Sequence, residues 1–451
     1  MPFKILSLDG GASWALVQAR VLQDLYDETG EIKGHELLRK FDLVVANSGG
    51  SVLLGLLCIN MSLKAIVSFY TSPSELKKVF PALFPGERLL QQIIRIFFPV
   101  GAKYSTHRKL KELRNIFLQN DELYLRNKSS TPIGNTFLNK LPFLIGKNYR
   151  GKEVQLMIPA FDYFRQRVTF FRSDINSNTN QFIHKFYEIT LVEAIHASCN
   201  APVNYYDRPA KVNFNLYDNG SGVKDHYQSW FWDGAVAGFN NPVLAGLVEA
   251  ATNNPVLSYG EFKILSIGTG QSRKAVIIDD KTSTDPERKH KFKINSGKPF
   301  VEWKASFGFL DDIKKVSESI LSDPPDSATF IAYSFMNRSL INRESTLVRI
   351  NPWITPEIKN NIYDYPIVYN QNQKDRDNFL KLMKLDFDVF DQRGVNLIED
   401  MCDKFIVTDK LTASLKNQLI RGEINDTQYL GYRTYQEAKE RWVALNEYDL
   451  G

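Results

Sequence analysis

The stretch Phe41-Asp-Leu-Val-Val-Ala-Asn-Ser-Gly-Gly-Ser-Val-Leu-Leu-Gly-Leu-Leu-Cys-Ile59 decides how this chain is read. Leu43, Val44 and Val45 read as a short buried strand and Val52 to Ile59 as an apolar helix, with only Ala46-Asn47-Ser48-Gly49-Gly50-Ser51 between them. A strand that breaks straight into a helix through small residues pushes one side chain out at the apex, and here that residue is Ser48. An apex residue at positive φ needs small neighbours two places to either side, where Ala46 and Gly50 stand. The following helix begins with unpaired N–H groups and the positive end of its dipole, a setting that favours an alkoxide or oxyanion beside Ser48. By itself the stretch fits a nucleophile elbow and equally an ordinary Ser-Gly-Gly connection.

Upstream, Lys4-Ile-Leu-Ser-Leu8 reads as a first buried strand, followed by Asp9-Gly10-Gly11-Ala12-Ser13-Trp14-Ala15 and a helix over Leu16 to Thr29. A glycine loop at a helix N-terminus offers backbone N–H groups to an anion, either a phosphate or the oxyanion of an acyl transfer, although a structural turn would look the same. The G-x-G-x-x-G spacing of a dinucleotide site fails, because Ala12 and Ala15 stand where the second and third glycines belong.

Composition narrows the class. With 451 residues, 43% of them hydrophobic, the chain can bury a large core, and a net charge of +5 is too small to argue for nucleic acid. Cys58, Cys199 and Cys402 are odd in number and far apart, so neither a disulfide framework nor a zinc site is expected. The N-terminus runs at once into a strand, and the apolar runs fall short of the ~20 residues that span a bilayer. The expectation is a cytoplasmic or peripheral membrane protein, with export by a non-classical route left open.

Further along, Leu89 to Tyr104 could form an apolar helical face flanked by Arg95 and Lys103, fit for the body of the protein or for lipid, and 127–135 reads as an exposed loop. Strands are expected over Lys152–Ala160 and Arg167–Phe171, then a helix over Thr190–Cys199 carrying His196, either a structural residue or the base of a triad. The strand Gln228–Trp232 runs into Asp233-Gly234-Ala235, an aspartate followed by small residues that would admit another backbone, as a site or as an Asx-turn. A strand over Phe262–Ile267 ends in another glycine turn, Pro286–Lys293 reads as a solvated charged run, and Thr346–Ile350 as a late strand. Alternating strands and helices argue for a mainly parallel sheet covered on both faces. From Gln371 the chain turns charged and helical.

Three motifs now stand in order: Asp9-Gly10-Gly11-Ala12, Ala46-Asn47-Ser48-Gly49-Gly50 and Asp233-Gly234-Ala235. Together with Ala194–Pro202, Asn240-Asn-Pro242, Leu265–Gly270 and Arg349-Ile-Asn-Pro352, they give a chain that resembles the patatin-like phospholipases over residues 3 to 352. The resemblance implies an α/β three-layer sandwich as a catalytic domain over 1–355, with a C-terminal helical extension over 356–451. It implies a Ser48–Asp233 dyad without histidine, and an oxyanion hole from the N–H groups of Gly10, Gly11 and Ala12. Ala46, Asn47, Gly49 and Gly50 would shape the elbow, and Gly234 and Ala235 the aspartate turn. The reaction implied is hydrolysis of phospholipid or other acyl-ester lipid at a membrane surface, with no cofactor and no metal, and with the C-terminal extension as the natural seat of any protein activator. The chain departs from that pattern at five positions: Ala12 stands for the family's third glycine, Trp14 for a basic residue, Ala15 for a further glycine, and Ala46 and Ser51 for glycines of the elbow. Against the hydrolase stands the reading of a degenerate domain that binds lipid or a protein without turnover.

Overall fold

A computed structural model of the chain describes residues 1–84, 86, 101–126, 130–174, 185–202, 205–218, 224–270, 327–336, 345–354, 357–359, 362–364, 366–408, 432 and 434–447. The apolar stretch Leu89–Phe98, loop positions 127–129 and the run Pro286–Lys293 lie outside the described residues. Chain order begins β1 (Phe3–Leu8), α1 (Ala15–Tyr26), β2 (Leu43–Ala46), α2 (Ser48–Cys58), α3 (Leu63–Thr71), α4 (Pro73–Val79) and α5 (Thr106–Asn120). It continues through β3 (Gln155–Asp162), β4 (Arg167–Arg172), β5 (Lys185–Glu188), α6 (Leu191–Ser198), β6 (Ala210–Asp218), β7 (Lys224–Asp233), α7 (Val243–Asn253), β8 (Phe262–Ile267) and β9 (Leu347–Ile350). The helices α8 (Gln373–Leu382), α9 (Gln392–Ile406) and α10 (Tyr435–Glu447) follow.

The strands form one sheet in the order β5-β6-β7-β3-β2-β1-β8-β9, with β4 beside β3. Successive side chains of a strand point to opposite faces, and β1 shows both faces covered. Leu6 and Leu8 enter a large core with α1, α2 and α6, while Phe3 and Ile5 enter a second core with Val243, Leu247 and Ala250 of α7. Each such fully buried aliphatic side chain is worth about 2 kcal/mol. The fold is therefore the expected α/β three-layer sandwich.

Its parallel character holds for one half only. β1 runs parallel to β2 and β8, β2 to β3, and β8 to β9, whereas β4, β7, β6 and β5 join by antiparallel pairings. The difference arises from β6, where Val212, Phe214 and Leu216 are buried and Lys211 and Asn213 exposed. That period of two suits a strand with one face toward solvent, and such strands pair through hairpins, not through helical crossovers.

The seam between the halves positions the site. β4 occupies one edge of β3 from Met157 to Asp162, so the opposite edge must serve two strands. β2 takes its first part, with Val45 opposite Met157, and β7 takes its last, with Asp233 opposite Ala160. The two strands run toward each other along that edge, and their C-terminal ends meet across Ile158 and Pro159. Residues distant in sequence, Asn47-Ser48 and Asp233, are brought together by this register.

The C-terminal helices pack into the same large core through Ile398, Met401, Phe405, Ala438 and Trp442. Trp442 Nε1 donates to Tyr26 Oη at 2.9 Å, Tyr435 Oη donates to Asp24 at 2.6 Å, and Arg20 pairs with Asp403. The helices of the expected extension thus share a core with the sheet. α1 stops at Tyr26, short of the expected Thr29, because Asp27 turns extended and its carboxylate accepts the N–H groups of Thr29 and Ile32 at 3.0 and 2.8 Å.

Candidate active site

Helix α2 begins at Ser48 itself, with Asn47 as its N-cap residue in extended backbone, φ −113°. Ser48 sits at φ 47°, the left-handed region that a non-glycine residue enters at a cost of about 1 kcal/mol. What holds it there is a relay of three side chains. The Ser48 N–H donates to Ser198 Oγ at 3.0 Å, Ser198 Oγ donates to Asn47 Oδ1 at 3.2 Å, and Asn47 Nδ2 donates to Asp233 Oδ1 at 3.1 Å. Strain of this kind persists where surrounding bonds over-determine it, and it concentrates at functional sites.

Asp233 is buried at the head of its turn and accepts the Ala235 N–H at 2.9 Å. The Ser48 side chain acts on the same carboxylate, lowering its pKa. Burial pushes the Asp233 pKa up from 3.8, and the bonds from Ser48, Ala235 and Asn47, with the charge on Lys109, work against that rise. Only glycine fits at 234, since a Cβ there would stand 2.4 Å from Asn47 Oδ1.

The first glycine loop packs against the elbow: a Cβ at Gly49 would lie 2.4 Å from the Ala12 nitrogen. Of the three expected donors, Gly10 is engaged elsewhere, its N–H donating to the Asn240 carbonyl at 2.8 Å. The N–H groups of Gly11 and Ala12 have no backbone carbonyl partner among the described residues. Ala12 takes the left-handed conformation, φ 50°, which the sequence pattern reserves for glycine. The loop is tied to the far side of the sheet by Asp9, whose carboxylate meets both terminal nitrogens of buried Arg349 at 2.8 and 2.5 Å. This bidentate pair joins the late Arg349-Ile-Asn-Pro352 to the early Asp9-Gly10-Gly11.

A cleft of about 470 Å³, counted with the solvent at its mouth, opens beside Ser48, Gly49 and Ala12. Its walls include Val52, Leu76, Val79, Phe80, Tyr205 and Tyr206, an apolar lining suited to a hydrocarbon chain.

Two residues near the site were not singled out as functional from sequence. Lys109 is buried in α5 and donates to the carbonyls of His196 and Cys199 at 3.1 and 3.2 Å and to Asn200 Oδ1 at 2.8 Å. Burial pulls its amine down to about 8, while three acceptors and the Tyr206 ring 4.1 Å away favour the charged form at neutral pH. Its signal is a lysine on the stripe Lys109, Leu113, Ile116 of an amphipathic helix. Asn200 in turn accepts the Asp233 N–H on its carbonyl at 3.0 Å. His196 is buried, and its Nδ1 has no hydrogen-bond partner among the described residues. Burial and the charges of Lys109 and Arg114 hold its pKa well below 6.5, so it is a neutral helix residue.

Among the described residues, no helix is long and apolar enough to cross a membrane. In sequence, the chain is similar to patatin-like protein 1 of Arabidopsis thaliana, 25% identical over 289 residues, and to patatin-like protein 2, 27% identical over 284 residues. Each match covers 60% of this chain, and the chain spans about 59 and 60% of those two relatives. Among solved structures, VipD from Legionella pneumophila is matched over 89% of this chain and 67% of its own, at 11% identity and a TM-score of 0.32. ExoU of Pseudomonas aeruginosa, solved with SpcU, is matched over 44% of this chain and 38% of its own, at 14% identity and a TM-score of 0.23. The model of the patatin-like phospholipase family matches residues 6–247, more than half of the sequence, a range that includes all three glycine-bearing motifs of this chain. The chain belongs to the patatin-like phospholipase family.

Proposed function

We propose that the protein is a lipid acyl hydrolase of the phospholipase A type, working through a Ser48–Asp233 dyad. The observation that carries the reading is the left-handed Ser48, joined through Ser198 and Asn47 to the buried Asp233 carboxylate, at the wall of an apolar cleft. A fatty-acyl chain lies in the cleft and presents its ester carbonyl to Ser48. Ser48 Oγ attacks the carbonyl carbon while Asp233 takes the hydroxyl proton. The oxyanion that forms is held by the N–H groups of Gly11 and Ala12, with the N-terminus of α2 adding its dipole. Asp233 returns the proton to the leaving alcohol, and the C–O bond to it breaks. Water, deprotonated by Asp233, then releases the fatty acid from the acyl-enzyme and restores Ser48.

Asn47 serves both partners, since one amide accepts from Ser198, which fixes the Ser48 backbone, and donates to Asp233. No step requires a metal or cofactor. The test is fatty-acid release from mixed phospholipid vesicles by the purified protein beside Ser48→Ala and Asp233→Asn. Release by the wild type that is lost in both folded variants is the expected result. No release from any vesicle composition would favour a domain that binds lipid without turnover.

A further inference from the structure

The segment between α8 and α9 is bonded to residues on two sides of the cleft, Ser13 and Tyr205. Ser13 donates to the Phe387 carbonyl twice, from its N–H at 3.2 Å and its Oγ at 2.6 Å, and its Oγ accepts the Val389 N–H at 2.9 Å. Trp14 Nε1 donates to the Asp386 carbonyl at 3.0 Å. On the opposite side the Asp386 carboxylate accepts from Tyr205 Oη at 2.5 Å and Lys103 Nζ at 2.8 Å. The Asp388 carboxylate accepts from the same Nζ at 2.9 Å and from Tyr104 Oη. Ser13 and Tyr205 both line the cleft beside Ser48. Asp386–Val389 is therefore a strap, stitched to the glycine loop on one side and to the wall of the cleft on the other.

Ala12 precedes Ser13 directly and stands at φ 50° without the freedom of glycine. Such a conformation survives only where neighbouring bonds impose it, and the next residue is the one fastened three times to the strap. Trp14, another departure from the family's loop pattern, supplies the fourth bond. Two of the departures are thus the strained residue and one of its two fasteners.

We propose that the strap Asp386–Val389 is a positioning element of the active site, which keeps Ala12 left-handed so that the N–H groups of Gly11 and Ala12 can meet the acyl oxygen at Ser48. The inference rests on the proposed hydrolase reading for its reaction. Its consequence is that an alanine in the glycine loop and a strap from the C-terminal region are two parts of one device.

The experiment uses the full chain with Ser13→Ala, Trp14→Phe, and each combined with Ala12→Gly, assayed on a soluble p-nitrophenyl ester. Removing the Ser13 hydroxyl lowers kcat about tenfold while KM stays within about twofold, since the bonds act on the charge that develops after binding. Adding Ala12→Gly brings kcat back to within about threefold of the wild type, because glycine holds that φ unaided, and leaves any loss of Tm uncorrected. Unchanged kcat in Ser13→Ala, or a loss that Ala12→Gly does not repair, overturns the proposal. Should the wild type cleave neither this ester nor vesicle phospholipid, the hydrolase reading fails and the strap is judged by amide hydrogen exchange over residues 11–14. Exchange at least about tenfold faster in Ser13→Ala supports it, and unchanged exchange overturns it.

Discussion

The parallel and antiparallel halves of the sheet meet on one edge of β3, and each brings a different partner to the site. Ser48 arrives on the parallel side by a local route, a short strand, an apex and a helix contiguous in sequence. Asp233 arrives on the antiparallel side by a non-local one, because its place depends on the register of β7 against β3 and on the Asn200 carbonyl that accepts its N–H. The contrast separates two kinds of encoding. A nucleophile's backbone can be written into a few neighbouring residues, whereas its base is placed by tertiary packing.

Breaking either side should remove turnover. Ser48→Ala is expected to leave only background hydrolysis, and Asp233→Asn to lower kcat about 100- to 10,000-fold, as loss of a general base does. Circular dichroism of both variants should match the wild type.

Arg349→Met tests whether the frame beneath both routes is structural. It leaves Asp9 buried without its partner, and breaking such a pair costs about 3 to 5 kcal/mol, read as a lower urea midpoint. An unchanged midpoint would mean that the pair does not hold the glycine loop to β9.

Asn47→Ala sharpens the comparison because it cuts the one side chain shared by both routes. A loss of kcat near tenfold with little change in KM is expected from two lost hydrogen bonds. The same variant should move the pH profile. Burial holds the Asp233 carboxyl above 3.8, so the acid limb of kcat/KM should lie above the ordinary carboxylate range. Without the Asn47 amide the charged form loses a donor, and the limb should move further up.

The smallest effect concerns stability. A carboxyl whose folded pKa is raised stabilises the fold below its unfolded value and loses that contribution as pH rises through the folded value. Above its folded value ionised Asp233 therefore weighs against folding, and there Asp233→Asn should show a higher Tm than the wild type. The gap should close below about pH 4, near the unfolded carboxylate value. A lower Tm above the folded value would mean that Asn47, Ala235 and Lys109 more than offset the burial.

The local route was legible and the non-local one only in part. Leu43–Val45 and the small residues around Ser48 predict the turn, and the helix merely begins earlier than Val52. Asp233 is recognisable from its Gly234-Ala235, yet nothing near it announces that β7 runs antiparallel. That follows from the alternation in β6, whose polar positions hide a strand among charged and amide residues. In the glycine loop, the sequence cannot reveal that Asn240 takes the Gly10 N–H or that Phe387 holds Ser13, because both partners are backbone carbonyls, which any residue provides. Lys109 carries a faint signal, a cation on an apolar stripe, but its acceptors lie at the end of another helix and just past it.

The most direct test of the dyad is mass-spectrometric labelling of the protein with a fluorophosphonate, a reagent that forms a stable adduct only with an activated serine. The account predicts one adduct, mapping to Ser48, formed far more slowly in Asp233→Asn although that variant keeps the serine. An adduct on another residue, or equal labelling with and without the Asp233 carboxylate, would contradict it.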